Sequence, residues 1–152
     1  MIRTQSNVLI RRPVEEVFRF VAVDFFENYR KWSPEVADLK KTSGEAMGVG
    51  TTGWQARYDA GKRTEARFRV TRYVALRQLS FISLSGPQFR IDYRFEPVAN
   101  DTRLTFDFEL SPAFYMLPFR RLIGEMVERG AQRVVRNLKA LLEVEAEGSG
   151  RE

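Results

Sequence analysis

Between residues 119 and about 145, apolar side chains recur with the period of an α-helix. At ~100° per residue, Ile123, Val127, Val134, Leu138 and Leu141 fall on one line, and Met126, Ala131, Val135 and Leu142 widen it on both sides. The opposite arc holds Arg121, Glu125, Glu128, Arg129, Gln132, Arg136, Lys139 and Glu143. Within it, Arg121 with Glu125 and Lys139 with Glu143 have the four-residue spacing that brings opposite charges together. The pattern predicts a long amphipathic helix lying on an apolar surface.

The rest of the chain predicts what that surface is. Ile2, Thr4, Ser6, Val8 and Ile10 alternate with Arg3, Gln5, Asn7, Leu9 and Arg11, which reads as an edge-type strand ending at Arg12. Pro13 suits the first turn of a short helix, Glu15 and Glu16 suit the positive end of its dipole, and Val14, Val17, Phe18 and Val21 form its apolar face. Asp24 is placed to cap a second short helix over 25–31, which must stop before Pro34. A strand over 36–42 and a glycine-rich connection follow, and from Thr52 the period is two. Thr52, Trp54, Ala56 and Tyr58 form one phase; Ala66, Phe68 and Val70 form the matching phase of the next strand, across a turn around Gly61. Further strands are expected over 77–84, 88–97 and 102–110. Phe89, Ile91, Tyr93 and Phe95 oppose Arg90, Asp92 and Arg94, and Leu104, Phe106, Phe108 and Leu110 oppose Thr105, Asp107 and Glu109. A sheet with one aromatic and one charged face meets water on one side only.

The expected fold is thus α+β: a seven-stranded antiparallel sheet in the order β-α-α-β6-α, wrapped around a long C-terminal helix. At 152 residues and 43% hydrophobic content the chain suits one domain with a sizeable core. That domain is expected over 1–145, with a disordered polar tail over 146–152. The chain has neither cysteine nor histidine, which removes disulfides, thiolate nucleophiles, and the commonest metal ligand and general base. No leader-like or membrane-spanning apolar run is present, so a cytoplasmic location is the expectation. The net charge of +5 is spread along the chain, a mild bias toward anionic partners.

Several segments together resemble the helix-grip domains of the Bet v 1-like, START-like (SRPBCC) superfamily, and within it the polyketide cyclase/dehydrase and lipid-transport group. They are Val8-Leu9-Ile10 followed by Pro13-Val14-Glu15-Glu16-Val17-Phe18, then Trp32-Ser33-Pro34, Val49-Gly50, and Asn100-Asp101-Thr102-Arg103-Leu104-Thr105. The resemblance covers residues 1–145. It is specific for fold and nearly silent on activity.

Candidate chemistry is sparse. Gly48 to Gly53 spells GxGxxG, but that fingerprint needs a helix N-terminus to follow, and here a strand follows. It reads as a flexible connection, which the resemblance places at the rim of a cavity. Asp92, Asp107 and Glu109 share the charged phase with Arg90 and Arg94, the pattern of a surface ion-pair ladder. No spacing suits a metal, no catalytic constellation stands out and no cofactor is implied. Arg57, Arg67 and Arg69, with Arg129, Arg133 and Arg136, form outward basic sets. A membrane surface is a possible partner for them; nucleic acid is disfavoured because no exposed aromatics interleave with the arginines.

The aromatics carry the functional expectation. Trp54, Tyr58, Phe68, Phe81, Tyr93, Phe95, Phe106 and Phe108 are expected on one concave face beneath the long helix. Such residues ordinarily fill cores, yet the resemblance implies a tunnel between sheet and helix that takes small apolar molecules. The helix would add Met126, Gly130 and Asn137, because a glycine and an inward amide both interrupt its apolar arc. The expected function is binding or transport of a small hydrophobic ligand, lipid, isoprenoid or polyketide-like. Two alternatives stand beside it: a cyclase/dehydratase-like enzyme in which a tyrosine or arginine assists proton transfer, and a non-enzymatic module that binds membrane or RNA through its basic face.

Overall fold

The computed structural model describes residues 1–149; the last part of the expected tail, residues 150–152, lies outside them. Seven strands form one antiparallel sheet in the order β1-β7-β6-β5-β4-β3-β2. They are β1 (Ile2–Ile10), β2 (Val36–Lys41), β3 (Thr52–Asp59), β4 (Lys62–Val74), β5 (Gln78–Ser83), β6 (Gln88–Val98) and β7 (Asp101–Ser111). Three helices complete the expected order: α1 (Val14–Phe18), α2 (Phe25–Trp32) and the long α3 (Arg120–Ser149). This is the α+β element order that the periodicity predicts, and the helix-grip arrangement that the resemblance implies.

Local chemistry explains most of the boundaries. Pro13 precedes α1 in an extended conformation, Glu15 and Glu16 occupy the first turn, and Val14, Val17 and Phe18 turn inward. The chain then runs through a π-helical turn, Arg19–Val23, closed by the Asp24 N–H donating to the Arg19 carbonyl at 2.9 Å. Asp24 occupies the N-cap position of α2, its carbonyl accepting from the Asn28 N–H, but its side chain makes no cap hydrogen bond and its carboxylate lies 4.0 Å from the Arg19 guanidinium. On α2, Phe25, Asn28, Tyr29 and Trp32 are buried, the i, i+3, i+4, i+7 spacing of a face pressed on a core.

The inward phase of the sheet is as expected on β6 and β7, with Tyr93 facing Phe106 and Ile91 facing Phe108 across the ladder. On β3 it is reversed. Gly53, Gln55 and Ala56 are buried, whereas Trp54 is only partly covered and Tyr58 is 49% exposed. The cause is the hairpin turn. Ala60 and Gly61 both take positive φ (52° and 79°), so Asp59 pairs with Lys62 in a two-residue loop and every even β3 residue faces an odd β4 residue. Phe68 points inward, hence its partner Gly53 does too. Trp54 pairs with Arg67 on the convex face, and the Lys40 ammonium lies 5.5 Å from its ring centroid.

The charged phase also differs from a surface ladder at one point. The Asp107 side chain is only 6% exposed; it meets Arg94 at 2.8 Å and Arg3 at 3.6 Å, and accepts hydrogen bonds from the Gln5 amide. Three adjacent strands, β1, β7 and β6, are therefore tied on their convex side through one carboxylate.

Helix α3 is seated unevenly. Ala131, Val135, Leu138 and Leu142 are buried in the core. Toward the N-terminus the same stripe emerges: Ile123 and Val127 are half-buried, while Leu122 and Met126 are exposed. Its C-terminal half is fastened by Lys139, which donates to the Leu9 carbonyl at 2.7 Å and to Glu143 at 2.8 Å. Glu143 in turn accepts from the Arg11 N–H.

Candidate functional site

The apolar interior lies between the concave face of the sheet, the two short helices and the C-terminal half of α3. Aromatic rings dominate it. Phe25 stacks on Tyr29 at 4.6 Å and meets Phe81 at 4.7 Å; Phe81 meets Phe68 edge-on at 5.5 Å; Tyr93 lies 5.1 Å from Phe106. Rings at these separations and tilts interact favourably beyond the area that they bury.

Within this cluster is a cavity lined by Phe25, Tyr29, Gln55, Phe68, Phe81, Phe89, Ile91 and Tyr93. Its volume is about 10 Å³, room for about one water. A small-molecule site is larger, roughly 300–1,000 Å³, so in this conformation the aromatic side chains themselves fill most of the space.

Four polar side chains stand in this apolar surround, and they are paired. The Tyr29 hydroxyl donates to Gln55 Oε1 at 3.0 Å, and the Trp32 indole N–H donates to the Tyr93 hydroxyl at 3.3 Å. Burial pushes the Tyr93 phenol well above its ordinary range, with the neighbouring Tyr29 adding to the effect. Burial likewise raises Tyr29, partly opposed by the Arg57 cation. Both phenols are therefore neutral at pH 7 and serve as hydrogen-bonding groups rather than bases.

Arg57 itself is a correction to the expected basic face. It lies in the Gly53–Gln55 phase of β3, toward Tyr29, with its guanidinium held by Asp59 through bonds of 2.8 and 3.1 Å. Burial opposes its charge, and the Asp59 carboxylate favours it. Arg67 and Arg69 are exposed, as expected.

Of the expected site residues, the fold brings Phe68, Phe81 and Tyr93 to the cavity wall. Phe95 and Phe106 are on the same face but belong to the surrounding core, and Phe108 is half-buried, stacked on Phe89 at 6.2 Å. Trp54 and Tyr58 are on the other face. Met126 is 41% exposed on the outer half of α3. A methyl group on Gly130 would meet only the Arg133 guanidinium, at 3.9 Å, so no close packing requires this glycine. Asn137 donates to the Trp32 carbonyl at 3.0 Å, which satisfies a carbonyl left open at the end of α2.

Five cavity residues were not expected there. Phe25 and Tyr29 follow from the spacing of α2, since a helix with aromatics at i, i+4 and i+7 presents them together. Gln55 follows from the hairpin register. Phe89 and Ile91 were expected on the inward face without being assigned to the wall.

The glycine-rich loop runs directly into β3, so no helix N-terminus is available for a phosphate. Its last residues are fixed: the Gly50 N–H donates to the Val70 carbonyl at 2.9 Å and the Val70 N–H to the Thr51 carbonyl at 2.8 Å. Ahead of them, Val49 is 69% exposed. Among the described residues, no three acidic side chains gather as a metal site, and no helix is long and apolar enough to cross a membrane.

The family model described as polyketide cyclase/dehydrase and lipid transport matches residues 1–143. No curated protein matches the sequence. Among solved structures, the chain is similar to TTHA0849 from Thermus thermophilus, with 18% identity over 93% of this chain and 97% of that one and a TM-score of 0.75. A START superfamily protein from Mycobacterium smegmatis aligns at 15% identity over 94% and 98%, TM-score 0.74. The Zhui aromatase/cyclase of a Streptomyces species aligns at 16% identity over 93% of each chain, TM-score 0.74. At these identities the likeness is one of fold.

Proposed function

The chain belongs to the polyketide cyclase/dehydrase and lipid-transport family, and from that premise we propose that it binds and carries a small hydrophobic molecule in the apolar interior enclosed by its sheet, α2 and α3. The observation that carries this reading is the aromatic-lined cavity, whose polar side chains, Tyr29, Gln55 and Tyr93, sit in an otherwise apolar wall. That is the composition of a site which holds a ligand by apolar burial and orients it with a few hydrogen bonds. Because the cavity holds only about 10 Å³, the ligand enters by displacing the wall residues Phe89 and Ile91, which are only half-buried. Lipid, isoprenoid and polyketide-like chains all fit this description.

Titration with an environment-sensitive apolar fluorophore tests the reading. The wild-type protein takes up the probe in saturable fashion, and Ile91→Trp, whose larger ring blocks the half-buried wall of the cavity, weakens uptake in protein that circular dichroism shows to be folded. Probe binding that is non-saturable, or indifferent to Ile91→Trp, would count against an interior site.

A catalytic reading is favoured by one specific observation, that the β3 register puts Arg57 in the same phase as Gln55, the hydrogen-bond partner of Tyr29. A fixed cation and a neutral phenol at a cavity edge can polarise a ketone and donate a proton to developing enolate oxygen. Incubation with a linear poly-β-ketone distinguishes this from carriage: turnover to an aromatic product that Arg57→Gln abolishes supports an enzyme, and unchanged recovery of the chain supports a carrier.

A further inference from the structure

The connection between β7 and α3 is a 3₁₀ segment, Phe114–Phe119, with no buried residue. It leaves Phe114 87% and Tyr115 70% exposed, and Leu117, Phe119 and Leu122 are each at least half exposed. Large apolar side chains exposed singly are ordinary, but a contiguous set marks a surface that meets something other than water. Two arginines, Arg120 and Arg121, interrupt this set, and residues 114–122 contain no acidic residue.

A second feature adjoins it. Met1, with Ile2 and Arg3 of β1 and Arg120, Arg121 and Gly124 of α3, lines an open groove of about 500 Å³. Three arginines therefore line the groove beside the apolar projection. Arg3 makes only long contacts to Asp107 and Glu109, both 3.6 Å, and Arg120 donates to the Met1 carbonyl. Among the described residues neither Arg120 nor Arg121 forms an ion pair.

We infer that segment 114–122 and the Arg3–Arg120–Arg121 groove dock the protein on an anionic lipid bilayer. Phe114, Tyr115, Leu117, Phe119 and Leu122 enter the interfacial layer, and the arginines meet lipid phosphates. The chemistry favours a bilayer over a protein partner. The apolar residues project outward on a tight turn instead of lining a concave seat, and aromatic side chains with flanking cations are the composition of an interfacial anchor. The location gives the anchor a use. Ladder pairs Ile2–Leu110 and Phe89–Leu110 place the end of β7, from which the segment departs, at the same end of the sheet as Phe89 on the cavity wall. Docking there would face the half-buried Phe89 side of the cavity wall toward the lipid. The surface stands apart from the proposed ligand site, and its test does not depend on what the cavity holds.

Co-sedimentation of the full chain with phosphatidylcholine vesicles, with and without phosphatidylglycerol, decides the matter. Wild-type protein is expected to pellet with the anionic vesicles, less so as salt is raised. Phe114→Ser with Phe119→Ser should abolish pelleting, Arg121→Gln should weaken it roughly fivefold, and a change at the exposed last residue of β6, Val98→Ser, should leave it unchanged. All four positions are exposed, so circular dichroism should report an unaltered fold. Equal pelleting with neutral and anionic vesicles, or full pelleting of the Phe114/Phe119 variant, overturns the inference. So does a dimer in light scattering that the same variant dissolves, which would make the occupant a second copy of the chain.

Discussion

Gly53 and Phe68 face one another across the β3–β4 ladder, and a methyl group on Gly53 would come within 2.5 Å of the Phe68 ring and 2.8 Å of the Phe26 ring. The glycine is needed for space, since two aromatic rings occupy the volume that a side chain would take. Gly53→Ala is therefore expected to destabilise the fold by about 1–3 kcal/mol through overpacking, and Phe68→Leu in the same chain should restore part of the loss. Urea unfolding checks this; an unchanged midpoint for Gly53→Ala would mean that the rings move aside without cost.

That pairing also shows how far the sequence could be read. The strands, their order and the long helix follow from periodicity, because each element buries one face and the period of that face is visible in the residues. The face of β3 did not follow from its own residues, where Trp54 and Tyr58 are more apolar than Gly53 and Gln55. It is set by the two-residue Ala60–Gly61 turn, which gives β3 and β4 opposite parity. The information was in the chain, but in the turn rather than the strand. The inward Arg57 has the same origin.

Other features were illegible for a different reason. A helical wheel assigns Met126 and Leu138 to one stripe, yet only Leu138 is buried. Where a stripe meets its sheet depends on how the helix crosses it, which is a property of the assembled fold. Asn137 is similar: its inward position was readable, its bond to Trp32 was not.

The buried indole–phenol pair gives a second prediction. Tyr93→Phe removes the acceptor of the Trp32 N–H, leaves a buried donor unsatisfied and should cost about 1–3 kcal/mol. Trp32→Phe combined with Tyr93→Phe should cost less than the sum of the two single changes. A double-mutant cycle in chemical denaturation measures the coupling, and strict additivity would show that the 3.3 Å contact contributes nothing.

Asn137→Ala is expected to lower stability by about 1 kcal/mol through loss of the bond to the Trp32 carbonyl, while apolar probe affinity stays at the wild-type value. Loss of probe affinity without loss of stability would assign Asn137 to the ligand instead.

Glu143 links the seated half of α3 to Arg11 and Lys139. Partial burial works against its charge, but the hydrogen bonds from Lys139 and the Arg11 N–H prevail and hold its carboxyl below the ordinary carboxylate range. A depressed folded-state pKa stabilises the protein above the unfolded value, near 4.3, and that stabilisation is lost as the pH falls through the lower folded value. Glu143→Gln should therefore flatten the fall in melting temperature below about pH 4.3, with little change in slope above it. An identical acid limb in wild type and variant would remove Glu143 from the account.

The proposed function requires a small hydrophobic molecule in the apolar interior enclosed by the sheet, α2 and α3. Native mass spectrometry of the gently purified protein tests it most directly. The account predicts a population heavier than the bare chain by one small molecule, released by organic extraction and reduced in Ile91→Trp. A single species at the mass of the bare chain, unchanged after incubation with fatty-acid and isoprenoid mixtures, would contradict it.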